Sequence, residues 1–162
     1  MKKLLVCILF IFIGSQASSE DVYSGKIAEA YRAGEYAKAL KICKPLVEQG
    51  DAKAQFWFGI MHDEGNGVLK DKTEAVKWYL LSAKQAYSHA QYNLGYMHKE
   101  GEGVLKDYMA SHMWYNISSA NGHPYAGEWR DKVADVMTPD AIEKATEMAR
   151  ECMASDYKKC GY

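Results

Sequence analysis

Residues 51–86 read DAKAQFWFGIMHDEGNGVLKDKTEAVKWYLLSAKQA, and residues 87–122 read YSHAQYNLGYMHKEGEGVLKDYMASHMWYNISSANG. Aligned without a gap, 15 of the 36 positions are identical, including the block Met-His-x-Glu-Gly-x-Gly-Val-Leu-Lys-Asp at 61–71 and 97–107. A fixed period of this length marks a repeat architecture, in which each unit buries its apolar face on its neighbours. Such arrays work by presenting a surface and rarely enclose a deep catalytic pocket.

Each repeat holds two apolar stripes at helical spacing. Ala54, Phe58 and Met61 form the first, echoed by Ala90, Leu94 and Met97; Ala75, Trp78, Tyr79, Ser82 and Ala83 form the second. Between them stand Gly65 and Gly67, echoed by Gly101 and Gly103, where a left-handed backbone is expected to end the first helix. Val68 and Val104 are expected to tuck the turn onto the core. Asp71 and Asp107 read as N-caps of the second helix, with Asp71-Lys72-Thr73-Glu74 a full capping box. Gly59 and Gly95 fall mid-helix, where glycine is costly unless two helices approach closely. The reading is an all-α solenoid of helical hairpins.

The pattern extends outward in weaker form. Residues 21–50 read as a shorter hairpin, and 123–162 as a closing hairpin and tail, with Thr138-Pro139 opening the last helix. With the repeats at 51–86 and 87–122 they make one domain over 18–162. Before it, Lys2 and Lys3 precede the apolar run Leu4 to Ile13, and Ser15 and Ala17 supply small residues. Residues 1–17 therefore read as a signal peptide cut after Ala17, because ten apolar residues are half of what spans a bilayer. The expected location is periplasmic or secreted, with no membrane insertion after cleavage. The cleaved chain keeps 18 Lys+Arg against 21 Asp+Glu, and no basic run suggests nucleic acid. In an exported chain the close pair Cys152 and Cys160 is the natural disulfide, and Cys43 is left as a small buried side chain. A bridge across seven residues requires the last helix to stop near Ser155, since one continuous helix would hold the cysteines about 12 Å apart.

Ala54, Phe58-Gly59, Met61, Gly65-x-Gly67-Val68, Asp71, Ala75, Trp78-Tyr79 and Ala83 together resemble the Sel-1-like repeat family, relatives of the tetratricopeptide repeats. The second copy matches at Ala90, Leu94-Gly95, Met97, Gly101-x-Gly103-Val104, Asp107 and Trp114-Tyr115, and departs at Ser111 and Ser119. His62 and His98 stand where the family usually has tyrosine. The resemblance implies a right-handed superhelix and an adaptor or assembly role with a protein or peptide partner, without a cofactor. A cysteine-rich subfamily said to bind penicillins implies the alternative, a weak β-lactam-binding or β-lactamase activity. Here only Cys152 and Cys160 show its Cys-x7-Cys spacing.

Candidate chemistry is thin. Ser155-Asp156-Tyr157-Lys158 matches the Ser-x-x-Lys of penicillin-recognising enzymes, but the companion Ser-Asp-Asn and Lys-Thr-Gly are absent. His62 and His98 share a repeat position, so their rings should stack one repeat apart, a spacing unsuited to a shared zinc. No metal site and no catalytic residue is expected. The first helix of each repeat carries Lys53, Phe56, Ile60 and Asp63 on one face, and His89, Tyr92, Tyr96 and Lys99 on its counterpart. Phe56, Ile60, His89, Tyr92, Tyr96 and Lys99 are the candidate partner-binding residues; the competing reading is that the aromatics pack neighbouring hairpins together.

Overall fold

The computed structural model describes residues 19–160, with side chains from residue 24 onward. The expected leader at 1–17 and its cleavage after Ala17 lie outside the described residues. These form eight helices and no strand: α1 (Ser19–Arg32), α2 (Tyr36–Glu48), α3 (Ala52–Glu64), α4 (Lys72–Ala83), α5 (Ser88–Glu100), α6 (Tyr108–Ala120), α7 (Ala126–Ala134) and α8 (Pro139–Ala154). From α1 through α6 each helix packs on the one that follows it, the layout of an α-solenoid. The last pair is different, because both α7 and α8 take α6 as their main neighbour.

The pairs α3–α4 and α5–α6 are built alike, down to single hydrogen bonds. Gly65 and Gly101 end the first helices in the left-handed region, at φ 79° and 75°. Their N–H groups donate to Met61 O and Met97 O at 2.9 and 2.8 Å. The chain then returns, so that Asp71 N donates to His62 O at 2.8 Å and Asp107 N to His98 O at 2.9 Å. Asp71 caps α4 by accepting from Glu74 N, and Asp107 caps α6 by accepting from Met109 N and Ala110 N. The capping box expected at Asp71 forms on one side only. The Asp71 N–H is already committed to His62, and the Glu74 carboxylate pairs with Lys77 instead.

At the other end of each hairpin, Ser82 Oγ donates to Ala52 O at 2.6 Å, and Ser118 Oγ to Ser88 O at 2.7 Å. Gln85 donates to Gln55 Oε1, and Asn121 to Gln91 Oε1, both at 2.9 Å. The mid-helix glycines have the reason the sequence suggested. A Cβ on Gly59 would lie 2.6 Å from the Tyr79 ring, and one on Gly95 2.7 Å from the Tyr115 ring. The bulky rings of the second helices thus seat directly on the backbone of the first.

The core is built from three clusters: one joins α1 and α2 to Met61, a central one runs through α4, α5, α6 and α8, and one joins Tyr115 to α7. Met61, Tyr79, Leu94, Met97, Met113, Trp114 and Tyr115 are all fully buried. Val68 and Val104 pack against it from their loops. Cys43 is a buried free thiol whose Sγ lies 3.3 Å from Ala54 O, and burial pushes its pKa up to about 12. Cys152 and Cys160 form a disulfide with Cα atoms 4.4 Å apart. As that bridge requires, α8 stops at Ala154 and the chain turns back through Asp156 and Tyr157, both at positive φ. The Tyr157 hydroxyl then accepts from Asn121 Nδ2 at 2.8 Å, which ties the tail to the base of the α5–α6 hairpin.

Candidate functional site

The six candidate partner-binding residues fall on α3 and α5, at unequal depth. Phe56 is only 8% exposed, and its ring sits 5.2 Å from Tyr87 and 6.0 Å from Tyr79. Ile60 is half-buried against the same cluster. On α3, therefore, the stripe packs hairpins together and shapes the face from beneath. On α5 it reaches solvent. Tyr96 is 40% exposed, His89 is exposed, and Lys99 is half-exposed. Tyr92 lies between these extremes, half-buried and stacked on His123 with centroids 4.3 Å apart.

The fold adds residues that the repeat pattern did not single out. His89 and His123 lie 34 positions apart in sequence, yet their rings approach to 4.9 Å. Tyr125, 62% exposed, stands beside His123. Trp129 of α7 lies near two ammonium groups, Lys99 Nζ at 4.7 Å and Lys132 Nζ at 4.5 Å. The Lys99 ammonium also pairs with Glu100. Together these side chains form a band of aromatic rings edged by lysines, running from α5 across the start of α7. The signal for His123 and Tyr125 was present in the register, since they occupy the places of Tyr87 and His89 one period on.

The rings of Phe56, Tyr87 and His123 shield one side of the His89 imidazole from water, and this desolvation holds its pKa below the usual value. His123 is lowered first by burial and then by the neighbouring His89. Both imidazoles are thus biased toward the neutral form, which favours ring stacking over charge in this band.

The other candidates find structural roles. The His62 ring packs edge-on against Phe58 at 4.8 Å, and the histidine pair that meets across repeats is His89 with His123 rather than His62 with His98. Among the described residues no group of three or more His, Cys, Asp or Glu could hold a metal ion. Ser155, from the Ser-x-x-Lys match, donates its hydroxyl to Cys152 O at 2.8 Å and accepts from Lys159 N at 2.9 Å. That hydroxyl closes the end of α8. No described helix is long and apolar enough to cross a membrane.

A family model for the Sel1 repeat matches residues 52–87 and 88–123, one residue on from the sequence periods at 51–86 and 87–122. The structure is similar to that of c5321, a protective antigen of uropathogenic Escherichia coli strains with an SLR fold. That match has a TM-score of 0.78 at 24% identity and covers 86% of this chain and 32% of the other. It is also similar to a Sel1 repeat protein of Oxalobacter formigenes, with a TM-score of 0.61 at 29% identity over 85% of this chain and 59% of the other. The chain thus spans about a third and three fifths of these two proteins. Among curated proteins none matches it.

Proposed function

We propose that this chain, which carries two Sel1 repeats, is a non-catalytic adaptor of the bacterial periplasm that captures a protein or peptide partner. Sel1 repeats generally mediate protein–protein interactions. The observation that carries the reading is the band on α5 and α7, where Tyr96 and Tyr125 stay exposed, at 40% and 62%. Exposed tyrosines on a rigid helix face supply contact area at little entropic cost, and nearby ammonium groups give orientation. The Cys152–Cys160 disulfide supports an oxidising compartment. Phe56, Ile60 and Tyr92 hold the band in place, while His89, Tyr96 and Lys99 make the contact.

The test is partner capture from a periplasmic extract by wild type and by Tyr96→Ala plus Lys99→Ala. The expected result is a loss of at least about tenfold in capture with an unchanged melting temperature. Undiminished capture by the folded variant would sink the assignment of this face.

A further inference from the structure

His89 and His123 come from successive units of the array, and their rings meet at 4.9 Å and 77° where α6 gives way to α7. The contact continues on both sides. Tyr87 stacks on His89 with centroids 5.3 Å apart, and Tyr92 stacks on His123 at 4.3 Å. A run of four rings thus joins α5 to the turn that opens α7. Because α7 leans mainly on α6, its link to α5 is one of side chains, and this run supplies it together with Trp129 and Lys99.

Three features of the joint require uncharged imidazoles. The Tyr125 N–H, which can only donate, points at His123 Nδ1 at 3.3 Å. That nitrogen therefore keeps its lone pair, and the single ring proton sits on Nε2. A second proton would occupy Nδ1 and set two N–H groups against each other. Next, His89 lies in the first turn of α5 and His123 just ahead of α7, so both stand at the positive ends of helices. Finally, a charge on one ring would face a charge on the other. Nothing nearby offsets such charges. Phe56 of α3 and Tyr125 are the further ring neighbours. Lys53 and Asp51 at the start of α3 act on Tyr87, and Glu128, Lys132 and Lys99 act on Tyr92. None of these five acts on either imidazole. The tautomer also speaks against a shared metal ion, since a ligating Nε2 needs its proton on Nδ1, where the Tyr125 N–H already points.

We propose that His89 and His123 form a proton-released latch, which holds the start of α7 against α5 while both rings are neutral and lets it go when they become charged in mildly acidic surroundings. Release parts Tyr92 from Trp129 and so takes the aromatic band apart. That consequence for partner capture rests on the proposed function; the latch itself does not. Burial lowers both pKa values in the folded chain, and His89 lowers that of His123 further. The latch is therefore closed above the ordinary histidine value of 6.5 and opens as pH falls through the lower values of the folded pair.

The test is NMR of the full chain from about pH 7.5 to about pH 5, across the range in which histidine titrates. The histidine ring signals give each titration. The cross-relaxation between the Tyr92 and Trp129 rings, which interact across the α5–α7 contact, reports the latch. It should fall at least about fivefold over that range, while the contact between Tyr31 and Trp57, 5.4 Å apart near the other end of the array, persists. His89→Gln should move the His123 titration upward, because it removes the facing charge. His123→Phe keeps a ring that cannot take a proton, and its Tyr92–Trp129 contact should no longer respond to pH. A contact that survives once both imidazoles are charged would overturn the proposal. Loss in step with the Tyr31–Trp57 contact would do the same, since the whole chain would then be unfolding. So would an unmoved His123 titration in His89→Gln, or an unaltered response in His123→Phe, which would assign the effect to the buried His98 or His112. No partner enters this experiment, so its failure leaves the capture result for Tyr96→Ala plus Lys99→Ala standing, and the reverse holds too.

Discussion

Where the repeat at 51–86 carries Asp63 and Lys72, the repeat at 87–122 carries Lys99 and Tyr108. The backbone is the same and the side chains point outward from the same places, yet the chemistry reverses. In the first copy Asp63 takes the Lys72 ammonium and lies 3.4 Å from the Tyr79 hydroxyl, so three polar side chains satisfy one another at the hairpin. In the second copy that carboxylate is absent. The Tyr115 hydroxyl is buried without a hydrogen-bond partner, and Lys99 turns to Trp129 and Tyr96. One repeat closes its polar groups inward for stability, and the other opens them into the aromatic band. A duplicated scaffold can therefore carry two differently finished hairpins, because the shared positions define the backbone and the unshared ones are free to diverge.

The largest expected effect separates the paired loop glycines. Gly103→Ala places a Cβ 2.3 Å from a backbone carbonyl at φ 69°, whereas Gly67→Ala meets Tyr36 O at 3.1 Å. The first should cost about 3 kcal/mol and the second about half that. Equal thermal melting of the two variants would contradict the closer seating of the second loop.

Acidification comes next. His89, His98, His112 and His123 all lie beyond residue 87, and burial lowers the pKa of each. The unfolded chain therefore binds more protons than the folded one below the ordinary value of 6.5. The stability they contribute is complete above that pH and is lost as pH falls through the lowered folded values. Hydrogen exchange at pH 7.5 and 5.5 should show protection falling first in α5–α7. A uniform loss across α3–α4 as well would mean the array responds as one unit.

Removing the tyrosine hydroxyls sharpens the contrast at smaller scale. Tyr79→Phe should destabilise by about 1 kcal/mol, because it discards a partnered hydroxyl. Tyr115→Phe should be neutral or mildly stabilising, because the hydroxyl it removes has no partner. Chemical denaturation of both variants decides the matter, and matching losses would mean the Tyr115 hydroxyl is satisfied in solution.

The smallest effect lies at the hairpin joints. Gly50 and Gly122 adopt φ 84° and 85°, and Ala86 holds the equivalent place at φ 62°. Ala86→Gly should stabilise by about 0.5 kcal/mol, since relief of left-handed strain slightly exceeds the added chain entropy. A fall in melting temperature would show that the alanine methyl makes a contact worth more than the strain.

Much of this molecule could be read from the chain. The loop glycines, the capping aspartates, Gly59 and Gly95, and the stop of α8 before the disulfide are local requirements, and local geometry obeys local residues. The candidate site was legible only in part. Phe56 and Tyr92 occupy the same repeat position, and Ile60 and Tyr96 another, so no pattern of spacing could tell which ring would be covered. Burial depends on what the neighbouring hairpin brings, and for α5 that neighbour is the atypical α7.

The sequence by itself determined the period, the hairpins, the turn chemistry and the pairing of Cys152 with Cys160, because each follows from residues within one repeat length of one another. Only the tertiary structure decided that His89 meets His123, that Trp129 draws Lys99, and that α8 returns onto α6. Those contacts join residues 30 or more positions apart or elements outside the repeat. They arise from how successive units stack, and stacking is set by the sum of many weak side-chain contacts that no single stretch of chain encodes.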